Sequence, residues 1–444
     1  MIDQGAAPRL QLALLIAIAV VLASFYCVAF FPGTLPFDSA YQWWQARGGE
    51  TSTVHGIGIT LLWRGSDALT QGPAALFLLQ LGLFWCGLLL IVAAMPGRPI
   101  GRIVFVVAAA FAPVCFVVLS SVVSDAVLMG VLCCAFGLCV LSPRRRLRWS
   151  FLLAMALLFL AVLVRKNALP AVIPLAAFAV HCEFFAPARL RWRGVVAALC
   201  AVTLMQGASS MLERRVDRRV TVFAATALWD LAALSIESGE LLLPPTAHGP
   251  DLDVADLRQA FVPYANTSIF AQTRASITQP FLAPDDALNG EVWRAWIAAI
   301  REHPGLYLAH RWRVARGLFG SKDPAWPREL VYFPGNTQYR DNPPIALNGS
   351  RLHAWFMSRF DAVHSSQLLA PWPYLLLAVV SALVAWRRRA APSAQAALAI
   401  IASGLCYVAP LPVIAPSVEL RYLGWTCLSA IIGAALAFSV EKPD

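Results

Sequence analysis

Residues 10–39 read LQLALLIAIAVVLASFYCVAFFPGTLPFDS. The run from 10 to 32 carries no charged side chain, and it is long enough for a helix to cross a bilayer, which takes about 20 apolar residues. It stops at Phe31-Pro32-Gly33-Thr34-Leu35-Pro36-Phe37-Asp38-Ser39. A carboxylate therefore follows the first span, between aromatic residues. Such an acid does little for stability but can serve as a base.

Similar apolar runs recur at 73–95, 103–120, 124–142, 150–165, 168–184, 194–211, 370–386, 393–411 and 421–439. The chain is 59% hydrophobic and 14% charged, whereas a soluble protein carries roughly a quarter charged residues. The expected fold is an all-α polytopic membrane protein of about ten transmembrane helices. The first run has only Arg9 before it and no small-residue cleavage site, so it reads as a retained helix rather than a signal peptide. The ten cysteines lie almost all in apolar runs and form no metal-spaced cluster, as small core residues do.

The net charge of +10 comes from arginine clusters in short loops, so no nucleic-acid partner is expected. Counting spans alternately, Arg98 and Arg102, Arg144-Arg145-Arg146 with Arg148, Arg189, Arg191 and Arg193, and Arg387-Arg388-Arg389 all fall on one side. Short cytoplasmic loops are rich in Lys and Arg. That side, which also holds both termini, is therefore read as cytoplasmic, in the inner (plasma) membrane.

Three parts face the other side. Residues 33–72 form a first loop, in which Ser39–Gln45 suits a short interfacial helix. Ser120–Asp125 is a tight turn. Residues 212–369 form a large extracytoplasmic insertion with charges of both signs. Its 288–315 stretch reads as helical, broken at His303-Pro304-Gly305, where proline removes a backbone donor. The division is 1–211 (N-terminal transmembrane module with outer loops), 212–369 (extracytoplasmic domain) and 370–444 (C-terminal helices).

The span middles are almost free of ionisable groups, which in a membrane usually mark ion or substrate paths. This argues against a proton-coupled carrier with a midplane site. The charges gather instead at the outer helix ends: Asp38, Asp125, Arg165 with Lys166, and Glu419 with Arg421. Each has a bland reading. Asp38 and Asp125 could cap helices, Arg165 and Lys166 could snorkel to headgroups, and Arg421 could pair locally with Glu419. Together they suggest an outward-facing polar cavity at the lipid boundary.

At these residues the chain resembles the GT-C superfamily of polytopic glycosyltransferases, which take sugar from a polyprenyl-phosphate carrier. The resemblance rests on Asp38 after a Pro-Gly segment, His55 later in the same loop, Asp125 in the second outer loop, and Arg165, Lys166 and Glu419-Leu420-Arg421-Tyr422 at later outer ends. Several members have two prolines after that histidine, where this chain has Gly56-Ile57. The resemblance implies an inverting transfer to a glycan, lipid or protein acceptor on the outer face. In that reading Asp38 is the base, and Asp125 orients the acceptor or a cation. Arg165, Lys166 and Arg421 bind the lipid phosphate, with His55, Glu419 and Tyr422 in the substrate site. No cofactor is assigned. Some relatives hold a divalent metal, which Asp38 and Asp125 could carry. Trp293, Trp296, Trp312 and Trp326 are the residues of the insertion that could stack on sugar faces. The competing readings are a flippase or transporter of a lipid-linked glycan, which needs no base, and a membrane scaffold whose outer acids are dispensable.

Overall fold

The computed structural model describes residues 6–145, 148–184, 192–271, 276–279 and 286–439. Arg146, Arg189 and Arg191 lie outside them. The chain is almost entirely helical. Its first half runs α1 (Ala6–Phe30), α2 (Phe37–Ala46), α3 (Ile57–Leu69), α4 (Ala74–Ala94), α5 (Pro99–Phe111), α6 (Pro113–Leu119), α7 (Ser124–Arg145), α8 (Arg148–Val164), α9 (Leu169–Phe184) and α10 (Trp192–Glu213). Then come α11 (Val222–Ser238), α12 (Val254–Ala260), α13 (Ser268–Ala271), α14 (Asp286–Glu302), α15 (Pro304–Phe319) and α16 (Arg351–Val363). Last are α17 (Trp372–Arg387), α18 (Pro392–Val408), α19 (Leu411–Ile414) and α20 (Gly424–Ala437).

Each apolar run has its helix. Among the described residues, seven helices are long and apolar enough to cross a membrane, and the pair α5–α6 makes an eighth if it is one span. That pair bends by 58° at Ala112-Pro113, where proline cannot donate to the preceding turn. α8 and α17 are apolar but shorter. Counting α5–α6 once and adding these two, ten apolar segments are found among the described residues.

α7 is the centre. Most of its apolar stretch is buried in protein, whereas α1 and α10 are largely exposed, as helices facing lipid are. α4 lies against α7 at backbone distance. A side chain at Gly87 would meet the Cys133 carbonyl carbon at 2.5 Å, and one at Gly130 the Gln80 oxygen at 2.9 Å. Small residues let helices in lipid approach this closely.

The segment after α10 is laid over one end of the bundle and shares its hydrophobic core. The Thr51 and Arg218 backbones bond at 3.0 Å, the Leu35 amide reaches the Asn336 Oδ1 at 2.7 Å, and the Thr337 amide returns to the Leu35 oxygen at 2.7 Å. The strap before Glu419 is held the same way: the Asn266 amide bonds the Pro416 oxygen, and the Val418 amide the Tyr264 oxygen.

One detail differs from the sequence reading: the first loop holds a second helix, α3. Moreover α2, helical as expected, turns one aromatic into protein: Trp43 is fully buried, with Nε1 donating to Asp67 at 2.7 Å and its ring 6.2 Å from that of Trp63. The break at His303 falls between α14 and α15, as expected.

Candidate active site

Five segments distant in sequence converge at the covered end of the bundle. The first is the start of α2. Pro36 precedes it, and Asp38 lies in its first turn, where a carboxylate meets the positive end of the helix dipole. Asp38 does not cap a backbone amide. Its Oδ2 accepts from the Arg421 guanidinium at 2.6 Å, across 383 residues of sequence. The loop before α2 is fixed to the turn before α7. The Val122 amide bonds the Thr34 oxygen at 2.9 Å, and the Ser39 hydroxyl donates to the Val122 oxygen at 2.6 Å. Asp38 and Asp125 are placed together by these bonds.

Asp125 opens α7 and is almost fully buried. Its Oδ2 accepts a short hydrogen bond from Arg165. Arg165 also donates to Ser124 at 3.1 Å and to Asn167 at 3.2 Å. Arg421 Nε binds Glu419 and lies 4.0 Å from Asp125. Glu419 in turn accepts from Ser417 at 2.7 Å and from the Tyr422 hydroxyl at 3.2 Å. The Tyr422 ring lies between the two arginines, 5.6 Å from the Arg165 guanidinium and 5.4 Å from that of Arg421, within cation–π range. The result is a chain of alternating charge, Asp38–Arg421–Asp125–Arg165. Its Asp38 end is the more exposed, with that side chain 32% exposed against 17% for Arg165.

His55 stands beside the open end. Its Nε2 is 4.0 Å from the Asp38 Oδ1, too far for a hydrogen bond. The residue after it explains its place. Gly56 lies on the last turn of α8, where a side chain would meet the Leu163 oxygen at 2.2 Å and the Val164 oxygen at 2.7 Å. Those carbonyls immediately precede Arg165. The close approach that brings His55 to Arg165 thus excludes any larger residue at 56. A cavity of about 200 Å³ opens here, and His55, Ser124, Arg165, Lys166 and Tyr422 line it together with the apolar Val222, Leu411 and Ile414. Lys166, half-exposed, reaches Glu213 at 3.4 Å.

The field of the cluster sets two titrations. Burial pushes the Asp38 carboxyl up, but the charges of Arg421, His55 and Arg165 outweigh it, and the group stays well below the usual carboxylate range. Burial lowers His55 to about 4, with Arg165 and Arg421 acting the same way against the opposing pull of Asp38. At neutral pH the pair is thus a carboxylate beside an uncharged imidazole.

All eight residues singled out from the sequence lie in or beside this cluster: Asp38, His55, Asp125, Arg165, Lys166, Glu419, Arg421 and Tyr422. Sequence reasoning did not single out Ser417 or Asn167, whose side chains hold Glu419 and Arg165. Nor did it find Lys322, which is buried and donates to the Gly317 and Leu318 carbonyls at the end of α15. Burial brings that lysine down to about 7, against the attraction of Glu419. None of these three has a local sequence signal. The tryptophans are divided. Trp296 is buried and bonds Asp230 at 2.8 Å, Trp326 packs on Gly317 and Tyr264, while Trp293 and Trp312 are exposed.

A divalent metal does not fit between Asp38 and Asp125 as they stand. Arg421 already occupies that ground, and no group of three or more His, Cys, Asp and Glu side chains suited to a metal is found among the described residues.

No protein-family model matches the chain, and no curated protein matches it. Among solved structures, it is similar to a crystal structure of ArnT from Cupriavidus metallidurans bound to undecaprenyl phosphate. The match has 15% identity and a TM-score of 0.32, over 96% of this chain and 77% of that one. A likeness at that level carries no assignment by itself, so the functional reading rests on the cluster's own geometry.

Proposed function

We propose that the chain is a membrane glycosyltransferase that moves a sugar from a polyprenyl phosphate to an envelope glycan, lipid or protein acceptor. One observation carries this reading: a partly exposed carboxylate, Asp38, is gripped by Arg421 and stands beside His55, which lines a cavity together with the cations Arg165 and Lys166. Acid and cations together suit a reaction that takes a proton from one oxygen and stabilises charge on another.

The acceptor hydroxyl gives its proton to Asp38 as its oxygen bonds to the anomeric carbon. On the opposite side of that carbon the bond to the phosphate oxygen breaks, and the polyprenyl phosphate leaves with the electron pair. Attack from opposite the leaving group inverts the anomeric centre. Arg165, Lys166 and Arg421 stabilise the departing phosphate, most effectively where water is scarce.

The ion pair at Asp38 makes it a weak base at rest, because the field of Arg421 favours its charged form. A phosphate bound to Arg421 would share that guanidinium and free the carboxylate. Base strength would then rise only when donor is present. Asp125 keeps Arg165 in place, and neutral His55 can hydrogen-bond the acceptor.

Orientation follows from the arginine clusters. Arg98, Arg102, Arg148 and Arg387-Arg388-Arg389 lie in the connections α4–α5, α7–α8 and α17–α18 or in the helix turns beside them, whereas Asp38 and its partners lie in the alternate connections. We therefore place the arginine-rich connections in the cytoplasm, the reactive cluster on the outer face, and residues 212–369 as the outer domain above it, between helical parts 1–211 and 370–444.

The test is mass spectrometry of envelope glycans and glycolipids from cells lacking the chain, restored with wild type or Asp38→Asn at equal membrane levels. The expected result is a glycan short of one sugar in the null that only wild type restores. Restoration by Asp38→Asn would take the base role from Asp38. An unchanged null profile would count against the transferase.

A further inference from the structure

Lys322 is a buried cation that the transfer mechanism leaves unused. It follows α15 closely and is 4% exposed. Its ammonium donates to the Gly317 and Leu318 carbonyls. These belong to the last turn of α15, where carbonyls find no amide of their own helix.

That end of the helix is seated on the strap before Glu419. A side chain at Gly317 would meet the Val418 Cγ1 at 2.8 Å and the Trp326 ring at 3.2 Å. Val418 is also fixed by its amide, which bonds the Tyr264 oxygen at 3.0 Å. Trp326 packs on Tyr264 in turn, with ring centroids 5.4 Å apart. Val418 immediately precedes Glu419, so the lysine clamps the element against which the strap is packed.

The charges of the Asp38 cluster do not balance without it. The chain holds three acids, Asp38, Asp125 and Glu419, against two guanidiniums, Arg421 and Arg165. His55 is uncharged at neutral pH, and Lys166 is matched by Glu213. One positive charge is missing, and a buried charge without a partner is costly. Lys322 lies in protein beside the same strap, and Glu419 is the charge that attracts it. Arg421 divides its guanidinium, with Nε on Glu419 and a terminal nitrogen on Asp38. A second cation near Glu419 loosens the first of these bonds.

We infer that Lys322 is a positioning residue of the transfer site: its ammonium supplies the counter-charge of Glu419 and so leaves Arg421 free for Asp38 and an incoming phosphate. The part that concerns the phosphate rests on the transferase reading, and the charge pairing does not.

A double-mutant cycle in melting temperature, on the full chain in detergent at pH 6, tests the pairing without substrate. At that pH the amine is protonated, since burial lowers it only to about 7. Lys322→Gln drops the charge but keeps a donor for the α15 carbonyls. It should lower the melting temperature by about 3 °C in the wild-type chain, and by about 1 °C or less where Glu419 is already Gln. A Lys322→Gln chain that folds only together with Glu419→Gln is the same result in stronger form. Equal losses in both backgrounds, including failure to fold in both, overturn the inference, because a plain helix clamp does not depend on Glu419. In transfer assays the KM for the polyprenyl-phosphate sugar should rise roughly tenfold in Lys322→Gln, the scale of one unit charge at middle range inside protein, with kcat within about twofold. A fall in kcat at unchanged KM overturns the positioning role. A wild type without transfer but with a non-additive cycle would break the transferase reading and leave the pairing of Lys322 with Glu419 standing.

Discussion

The protein builds two clusters from the same residue types and uses them differently. In one, Asp38 meets Arg421 and His55. In the other, Asp230 of α11 meets Arg311 and His310 of α15. Asp230 is sealed: Trp296 donates to it at 2.8 Å, Arg311 at 2.7 Å, and His310 Nε2 stands at 3.1 Å, with the carboxylate essentially inaccessible. Its arginine also reaches the Ala415 oxygen, so the cluster ties α11 and α15 to the strap leading to Glu419. Asp38 has one strong partner, a histidine held off at 4.0 Å, and a third of its side chain open. A carboxylate whose acceptor sites are all filled can only hold structure. One that is partly exposed and has a single strong partner can accept a proton. What separates the two clusters is vacancy, not composition.

The comparison breaks most visibly by exchanging each acid for its amide. Asp38→Asn should cut transfer by about a hundredfold or more and barely change thermal unfolding, because Arg421 keeps Glu419. Asp230→Asn should do the reverse. It leaves Arg311 buried without its counter-charge, a loss of about 3 kcal/mol or more, read as a lower melting temperature in detergent. Transfer per folded molecule should then remain. If Asp38→Asn melts the protein and Asp230→Asn does not, the assignments are inverted.

A smaller effect is expected at Gly56, which sharpens the comparison by testing the slack around His55. In Gly56→Ala the new methyl meets backbone oxygen, which cannot rotate away. Either the loop or the end of α8 must shift, moving His55 relative to Arg165. A misplacement of about 1 Å at a reacting centre can cost roughly a hundredfold, and a loss of that order in transfer is the outer bound. Wild-type transfer by Gly56→Ala would show that the His55–Arg165 spacing has no bearing on the chemistry.

The spans were legible in the sequence because lipid demands unbroken apolar runs and punishes charge within them. The isolated charges at their ends were legible for the same reason. The contact that matters most was not: Asp38 and Arg421 are 383 residues apart, and no local pattern pairs them. α3 was hidden because Ile57–Leu69 mixes apolar residues with Arg64, Ser66 and Asp67 and so resembles neither span nor plain loop. Asp230 did carry a signal. It stands alone in Ala225–Ser235, an otherwise uncharged helical stretch, where a lone acid requires a buried cation. Its partners, His310 and Arg311, could be located only by the packing of α15 on α11. The burial of Trp43 was likewise unreadable, since an aromatic residue beside a span suits lipid and protein equally.

The smallest effect concerns protons, and it needs no substrate. Carbethoxylation by diethyl pyrocarbonate attacks only neutral imidazole, so its rate at His55, followed by peptide mass spectrometry, reports that titration. A free imidazole has a pKa of about 6.5, and its rate falls about tenfold from pH 7.5 to 5.5. His55, held near 4 by burial and by Arg165 and Arg421, should react at a constant rate over that interval. The same depression makes His55 a pH-dependent contribution to stability. The unfolded chain binds its proton more readily, so between about pH 4 and 6.5 stability rises with pH, and below that window the full penalty applies. Arg421→Gln removes one of the charges opposing protonation and should move the reactivity midpoint upward. Asp38→Asn removes the anion that favours protonation and should move it downward. Opposite shifts from two residues in contact would show that His55 senses both ends of the Asp38–Arg421 pair. A midpoint near 6.5 in wild type would mean that water reaches the imidazole freely and that the open cluster is far looser than the sealed one.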